Sequence, residues 1–275
     1  MATALRPLST GELLDRTFSL YRSHFGLFVG IFALPHLIVL GVQFLQLMSQ
    51  RPYGRGPDIV ASLLWLVAIM FVGLIMASAS QAAAVIAVSE LHLDRPASVS
   101  DSFLRVREHL LGVMGISIIV FVAVVLGIFA LLVPSILLAI IWSLAIPAKV
   151  LENKGPLAAM SRSVELTKGD WGRIFVVGLL VAVLSYGLRM LLQVPILIGT
   201  YMSAKAGMRN AVLGWQIASL VAGFVAESLV VAVGTIAFSL VYFDERVRKE
   251  AFDLHLMMTT IDAGIVPGSP TQVGA

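Results

Sequence analysis

Long apolar runs alternate with short segments that carry almost all of the charged residues, and this pattern sets the fold class. A helix needs about 20 apolar residues to cross the hydrocarbon layer of a membrane. Four runs meet that length with one crossing each: 25–48, 59–89, 174–199 and 212–243. A fifth run, residues 110–148, is too long for one crossing and predicts two. The chain is therefore predicted to contain six transmembrane helices.

The double run is divided at Pro134 and Ser135, which offer a tight reversal, because proline is tolerated at the start of a helix. We expect one helix over residues 111–132 and a second over residues 135–150, kinked near Pro147. The runs lack the short alternating segments that form membrane strands. The predicted fold class is all-α: a polytopic membrane protein whose six transmembrane helices form three hairpins.

The composition favours a membrane over an aqueous environment. Apolar residues make up 59% of the chain and charged residues 13%, whereas a soluble domain carries about 25% charged residues. A protein of this size cannot hide such an apolar excess in its own core. The absence of cysteine excludes disulfides, thiol nucleophiles and cysteine metal sites. A formal net charge of +3 gives no reason to expect a nucleic acid partner.

Lysine and arginine are distributed unevenly between the two sides of the predicted bundle. With six crossings, fourteen of the nineteen fall on the side that holds both termini. The opposite side has four, at Arg51, Arg55, Lys205 and Arg209. Because the cytoplasmic loops of membrane proteins carry the excess of basic residues, we expect both termini in the cytoplasm. The expected location is the cytoplasmic (inner) membrane, as a multi-pass protein.

The segment after the sixth run, VYFDERVRKEAFDLHL at residues 241–256, is densely charged. Oppositely charged residues stand four apart in it, as in Asp244 with Arg248 and Lys249 with Asp253, and this spacing pairs side chains on a helix. The sixth helix is therefore predicted to continue into the cytoplasm. Two interpretations remain open: a solvated helical extension, or a docking surface for the other cytoplasmic segments.

Similar sequences precede the first, third and fifth runs. They are RTFSLYRSHFGL from residue 16, DSFLRVREHLLG from residue 101 and RSVELTKGDWGR from residue 162. Hydroxyl and basic residues recur at matching positions, at Thr17, Ser102 and Ser163 and at Arg22, Arg107 and Lys168. Each stretch is typical of a short amphipathic helix at the headgroup level, so each hairpin is predicted to have a cytoplasmic lead-in helix. The alternative is that any cytoplasmic approach to a span is basic and amphipathic without being a repeat.

We define the collar as segments 12–24, 99–110, 157–170 and 244–258, which the pattern places together at the cytoplasmic face. Its charged side chains are the candidate contact surface for membrane lipid, for a membrane-protein partner or for a second copy of the chain. They are Arg22, Arg107, Arg162, Lys168, Asp244, Arg246, Arg248, Lys249 and Glu250. Residues 1–258 are interpreted as one membrane domain, and 259–275 as a flexible C-terminal tail.

Two charged residues, Arg189 and Glu227, lie within predicted spans, at similar depths on neighbouring antiparallel helices. A lone charge at the centre of a bilayer costs about 2.5–3.5 kcal/mol on insertion scales, so an ion pair is the economical explanation. Three interpretations remain open: a polar site for a substrate, ion or headgroup, a structural lock, or outward snorkelling of the arginine. His36 and Gln193 are expected to form hydrogen bonds between helices.

Motifs that would indicate catalysis are missing. The five histidines include no pair four residues apart, and neither HExxH nor GxSxG occurs. We therefore expect neither enzymatic activity nor a metal or cofactor.

Two stretches of the second half resemble a known family. These are PAKVLENKGPLAAMSRSVELTKGDWGR at residues 147–173 and VYFDERVRKEAFDL at 241–254. They are similar to the membrane domain fused to some bacterial glycerophosphoryl diester phosphodiesterases and found in free-standing relatives. The matching residues are Pro147, Ala148, Glu152, Gly155, Ala158, Arg162, Ser163, Leu166, Thr167, Lys168, Tyr242, Asp244, Arg246, Arg248, Lys249, Glu250 and Asp253.

The chain departs from the family pattern at Glu245, where an apolar residue is usual, and at Ala251, where glycine is usual. The resemblance implies a six-span bundle and no settled activity. The phosphodiesterase chemistry of the family belongs to a separate soluble domain that these residues do not contain.

Two functions follow from the sequence. The first is a non-catalytic accessory or scaffolding subunit that packs against membrane partners or lipid through its collar. The alternative is a transporter or lipid-handling protein that uses Arg189 and Glu227 as an intramembrane polar site.

Overall fold

The structure is a computed structural model that describes residues 8–49, 59–130 and 132–250, and this part of the chain contains helices and no strand. Its helices are α1 (Thr10–Ser23), α2 (Phe25–Ser49), α3 (Ile59–His92), α4 (Val99–Val106), α5 (Leu110–Ala130), α6 (Leu132–Ile141), α7 (Ala145–Glu152), α8 (Pro156–Thr167), α9 (Trp171–Lys205) and α10 (Arg209–Glu250).

Six helical segments within these residues are long and apolar enough to cross a membrane. They are Phe25–Ser49, Ile59–His92, Leu110–Gly127, Val133–Glu152, Trp171–Lys205 and Arg209–Glu250. The prediction of an all-α multi-pass membrane protein is therefore confirmed. The last helix runs without a break from its span into the charged segment, as expected. Collar residues 251–258 and the tail 259–275 lie outside the described residues.

The fourth span differs from its prediction, because it consists of two helices rather than one kinked helix. Helix α6 ends at Ile141, residues 142–144 form a turn, and α7 begins at Ala145. Pro147, the predicted kink, falls in the first turn of α7, where a missing backbone donor breaks no helical hydrogen bond. The turn is held instead by Ser163 of α8. The hydroxyl of Ser163 donates to the carbonyl of Ile141 at 2.7 Å and accepts from the amide of Leu144 at 3.2 Å.

The described spans pair as three hairpins, α2 with α3, α5 with α6 and α7, and α9 with α10. Helix α10 also packs against α1, α2 and α3, so it occupies the centre of the bundle. Its buried residues run from Ala226 to Glu245, while large apolar side chains on the outer helices, such as Leu64 and Leu191, stay exposed. An outer apolar surface of this kind is what a lipid environment requires.

Equivalent positions of the three lead-in segments are buried alike. The recurring hydroxyl residues Thr17, Ser102 and Ser163 are all buried. Positions at equal distances after these three hydroxyl residues are also buried. They form two sets, Phe28 with Val113 and Ile174, and Ile31 with Ile116 and Val177. One register therefore holds from each lead-in helix into the span that follows, which supports the threefold repeat.

The lead-in helices begin at residues that satisfy the free backbone groups of a first turn. Ser9 forms a capping box with Glu12 at the start of α1, and Ser98 accepts from the amide of Asp101 at the start of α4. Helix α8 begins with Pro156, whose fixed φ suits a first helical position. Gly169, with φ of 98°, makes the turn from α8 to α9 in a conformation that favours glycine.

Candidate functional site

Arg189 and Glu227 form an ion pair near the middle of α9 and α10, with 2.5 Å between Nη2 and Oε1. The two helices pack side by side along their length, so residues at matching depths meet. The side chains remain 47% and 38% exposed, respectively. The pair is thus reached from outside the bundle rather than enclosed within it.

His36 of α2 joins this pair from a third helix. Its Nδ1 lies 2.7 Å from the carbonyl oxygen of Phe32, and its Nε2 lies 3.5 Å from Oε2 of Glu227. A carbonyl oxygen can only accept, so the ring proton is assigned to Nδ1. A neutral ring then presents a lone pair to the carboxylate. The contact with Glu227 becomes an ion pair only when the ring binds a second proton.

A second polar contact between the same helices joins Gln193, one turn beyond Arg189 on α9, to Ser219, two turns before Glu227 on α10. The Gln193 amide donates to the carbonyl of Ser219 at 3.0 Å, and the Ser219 hydroxyl donates to Oε1 of Gln193 at 2.9 Å. The expected interhelical hydrogen bond of Gln193 is therefore present. The two interactions together make the α9–α10 contact polar at the depth where the spans are otherwise apolar.

These side chains line a cavity of about 350 Å³ between α2, α9 and α10. Its polar lining is His36, Gln43, Arg189, Gln193, Ser219 and Glu227. A second cavity of about 270 Å³ shares Arg189 and Glu227 and adds Ser185 and Tyr186. A third, of about 290 Å³, shares Ser185 and reaches Ser143, in the turn between α6 and α7. Three adjoining cavities therefore follow the α9–α10 pair from the ion pair to the break in the fourth span.

The arrangement offers a guanidinium, a carboxylate, an imidazole and two amides to one small volume. Such a set can bind a polar or charged group, because it supplies both charges together with hydrogen-bond donors and acceptors. No cluster of three or more potential metal-ligating residues occurs within the described ranges.

The collar is built around Asp244, which is almost fully buried. Its carboxylate contacts Arg173 at 2.5 Å and Arg248 at 2.8 Å, and it accepts a hydrogen bond of 2.6 Å from the amide of Leu8. Arg173 also binds the neighbouring Glu245 at 3.0 Å. Both arginines donate to the carbonyl of Leu8, at 3.1 and 2.6 Å. Three distant parts of the chain therefore meet in one charged cluster.

A second cluster in the collar is built around Arg162 of α8. Arg162 contacts Glu152 at 3.1 Å and also binds Glu250. Glu152 accepts a hydrogen bond of 2.7 Å from the hydroxyl of Tyr242. Burial acts to lower the pKa of Arg162, but the hydrogen bond and charge of Glu152 outweigh it, so the pKa is raised. The guanidinium remains a fixed positive charge between α7, α8 and α10.

Lys249 binds the C-terminal end of α8. Its ammonium donates to the carbonyls of Leu166 and Lys168, both at 2.6 Å, and lies 3.8 Å from the carboxylate of Asp170. The last carbonyls of a helix have no intrahelical partner and carry its negative end, so a lysine is stabilising there. The segment 244–250 is therefore a docking surface for the other collar segments, which was the second of the two interpretations.

The structure divides the nine predicted collar residues into two groups. Six of them contact one another or neighbouring segments of the same chain: Arg162, Asp244, Arg246, Arg248, Lys249 and Glu250. The side chains of Arg22, Arg107 and Lys168 lie exposed on the surface. The predicted pair of Lys249 with Asp253 falls outside the described residues.

Several residues of these sites were missed from the sequence. Arg173 lies at the start of a span, and nothing local indicates its partners Asp244 and Glu245, which follow about 70 positions later. His36 was expected to bind a neighbouring helix, but not to join the predicted ion pair. Glu152 and Tyr242 did have a signal, because both belong to the stretches that carry the family resemblance.

No family model, no curated protein and no solved structure matches the chain. The class of protein is therefore defined by the fold and the site themselves: an all-α, six-span membrane protein with a polar cavity among its spans.

Proposed function

We propose that the chain binds a small polar or ionic solute, or a lipid headgroup, in the cavity beside Arg189 and Glu227, as a transporter or lipid-handling protein. The observation that carries the proposal is the exposure of this ion pair at mid-span. Charged groups are costly in hydrocarbon, so an exposed pair there requires a polar environment beside it. Water and a polar ligand in the cavity would supply that environment.

Two further features support a binding site over a structural lock. A lock needs only the two charges, whereas this site adds His36, Gln43 and a cavity of about 350 Å³. The adjoining cavities also lead to the interrupted fourth span, where Ser143 lines the third cavity. Interrupted helices accompany midplane binding sites in many transporters.

The binding experiment compares the wild type with Arg189→Ala plus Glu227→Ala in detergent. Thermal unfolding is measured with a carboxylate, an amino acid and phosphocholine as probes. We expect at least one probe to raise the Tm of the wild type and to leave the double variant unchanged. The matched control is Leu191→Ala plus Val221→Ala, which alters exposed apolar residues of the same two helices. Equal responses of wild type and double variant, or no response to any probe, would contradict the proposal.

The proposed orientation places both termini in the cytoplasm and the chain in the inner membrane, on the basis of its lysine and arginine distribution. The chain has no cysteine, so single cysteines can report the topology. Lys168→Cys and Lys205→Cys occupy exposed positions at opposite ends of α9. In intact cells, an impermeant thiol reagent should label position 205 and not position 168. Labelling of both from outside would contradict the six-span orientation.

The accessory or scaffolding function remains a second candidate because one observation favours it. Arg22, Arg107 and Lys168, which occupy matching positions of the three lead-in segments, are all exposed. Three such cations could contact an acidic membrane-protein partner, a second copy or anionic lipid. The test is purification in mild detergent, in which a stoichiometric partner should be lost when all three are replaced by glutamine. Its retention by that variant would argue against a collar contact.

A further inference from the structure

A buried lysine near the collar end of α7 has no counter-charge. Lys149 is only 7% exposed, and its ammonium makes no hydrogen bond or ion pair with any of the residues that the structure describes. Most of the side chain is packed, and the ammonium at its end lacks the partner that charges in buried side chains usually have. Nζ is not among the fully buried polar atoms of the described residues, so an anion can reach it from outside. Lys149 therefore offers an unpaired ammonium to an anion.

The ammonium of Lys149 lies over the first turn of α5. A Cβ at Gly112, the third residue of that helix, would collide with Cε of Lys149 and lie 3.4 Å from its Nζ. The amide of Val113 is bonded to the carbonyl of His109, while the amides before it belong to the turn that has no intrahelical acceptors. This end of the helix is positive, so it repels the ammonium rather than compensating it.

His109 adds a third group at the same place. Its Nδ1 is buried and has no hydrogen-bond partner among the described residues. Burial lowers the pKa of His109, the nearby charge of Lys149 lowers it further, and Glu108 opposes both. A neutral ring can carry its proton on Nδ1 and donate it to an anion.

The neighbouring acids do not neutralise Lys149. Glu152, one turn further along α7, is bound to Lys154, Arg162 and Tyr242. Glu108 is exposed. No carboxylate of residues 8–49, 59–130 and 132–250 pairs with Lys149, which leaves its charge open to a bound anion.

We propose that Lys149, the first turn of α5 and His109 bind a phosphate group, supplied by a phospholipid headgroup or by free phosphate. A phosphate has enough acceptor oxygens to meet an ammonium, free helix amides and an imidazole at once, and helix N-termini favour it. Leu111, beside Gly112, is an apolar side chain that is 83% exposed, so an acyl chain could lie against the helix next to the bound headgroup.

The test uses the full chain in dodecyl maltoside, a detergent without phosphate. Dihexanoyl phosphatidylglycerol and inorganic phosphate are titrated separately at constant ionic strength, and thermal unfolding is followed by tryptophan fluorescence. The variant Lys149→Met removes the charge and keeps the aliphatic length. Arg95→Met removes an exposed cation of the segment between α3 and α4 and controls for general electrostatic attraction. Gly112→Ala, which places a methyl group against Lys149, is a second variant that alters the site without removing a charge.

In phosphate-free detergent, Lys149→Met should unfold at the same temperature as the wild type or higher, because an unpaired charge on a largely buried side chain has been removed. Half-maximal stabilisation of this variant should need about tenfold more lipid than the wild type, the effect of losing one charge-assisted hydrogen bond. Gly112→Ala should also weaken the response, and Arg95→Met should not. A response to inorganic phosphate as well as lipid would identify free phosphate as a ligand, whereas a response to lipid alone would identify the headgroup.

Two results would overturn the proposal. One is equal stabilisation of wild type and Lys149→Met by both probes. The other is failure of Lys149→Met to fold in phosphate-free detergent, because a lysine without a partner should not be needed there. The variant Arg189→Ala plus Glu227→Ala should keep the response to phosphate. A negative result for the phosphate site therefore leaves the proposed mid-span site untouched, and the reverse also holds.

Discussion

The carboxylate of Asp244 accepts a hydrogen bond of 2.6 Å from the backbone amide of Leu8, which lies 236 residues earlier in the chain. The end of the last span thereby holds the start of the first lead-in helix. Comparable contacts join the other hairpins: Glu90 at the end of the first binds Arg105 of the second lead-in helix, and Glu152 at the end of the second binds Arg162 of the third. An acidic residue at the end of each of the first two hairpins therefore binds the next lead-in segment. The acidic residue of the third hairpin, Asp244, binds the start of the first.

Replacement of Asp244 by asparagine should destabilise the protein by about 3–5 kcal/mol, because it removes one partner from a buried charged cluster and leaves Arg173 and Arg248 undercompensated. The measurement is equilibrium unfolding in bicelles. Asp15→Asn is the matched control, since Asp15 is exposed on α1. Equal stabilities of the two variants would show that the contacts of Asp244 contribute nothing to the free energy of unfolding.

The ion pair at mid-span should show strong coupling in a double-mutant cycle. Glu227→Gln and Arg189→Met should each cost about 1–3 kcal/mol, because each leaves one charge at hydrocarbon depth without its partner. The double variant should cost clearly less than the sum of the two. Additivity within about 0.5 kcal/mol would mean that the two residues act independently.

Gly199 of α9 is required by the close approach of Trp215 on α10. A Cβ at Gly199 would lie 2.5 Å from ring atoms of Trp215, so Gly199→Ala should cost about 1–3 kcal/mol through overpacking. Gly187 on the same helix has nothing within 4 Å of its Cβ position. Gly187→Ala should therefore stabilise α9 by about 0.5–1 kcal/mol, because alanine loses less backbone entropy. Opposite signs for the two variants are the expected result of thermal unfolding.

The ammonium of Lys249 should hold the end of α8. Lys249→Met keeps the aliphatic chain but leaves the carbonyls of Leu166 and Lys168 without this donor, which should cost about 1.5–3 kcal/mol. Hydrogen exchange should become faster in the last turn of α8 and remain unchanged in α4. Lys168→Met, at an exposed position beside the same turn, serves as the control. Unchanged hydrogen exchange in α8 after Lys249→Met would show that Lys249 does not stabilise the end of this helix.

The six spans could be predicted from the sequence because four apolar runs are each long enough for one crossing and the fifth, 110–148, is long enough for two. The lead-in helices were predictable for a similar reason, since their charges and hydroxyl residues recur at matching positions before the first, third and fifth spans. The pairing of Arg189 with Glu227 could be predicted because both residues lie at similar depths on consecutive antiparallel helices. In each case the information is local, or concerns neighbours along the chain.

Sequence alone thus determined the helices, the number of crossings and the depth of the charged pair. Tertiary structure decided where the fourth span breaks, since the hydroxyl that holds the turn at 142–144 comes from Ser163 of another helix. It also decided that His36 reaches Glu227 and that Asp244 closes on Leu8. The physical reason is that a polar group inside or beside hydrocarbon must find a partner, and which partner is in reach depends on helix packing rather than on position in the sequence.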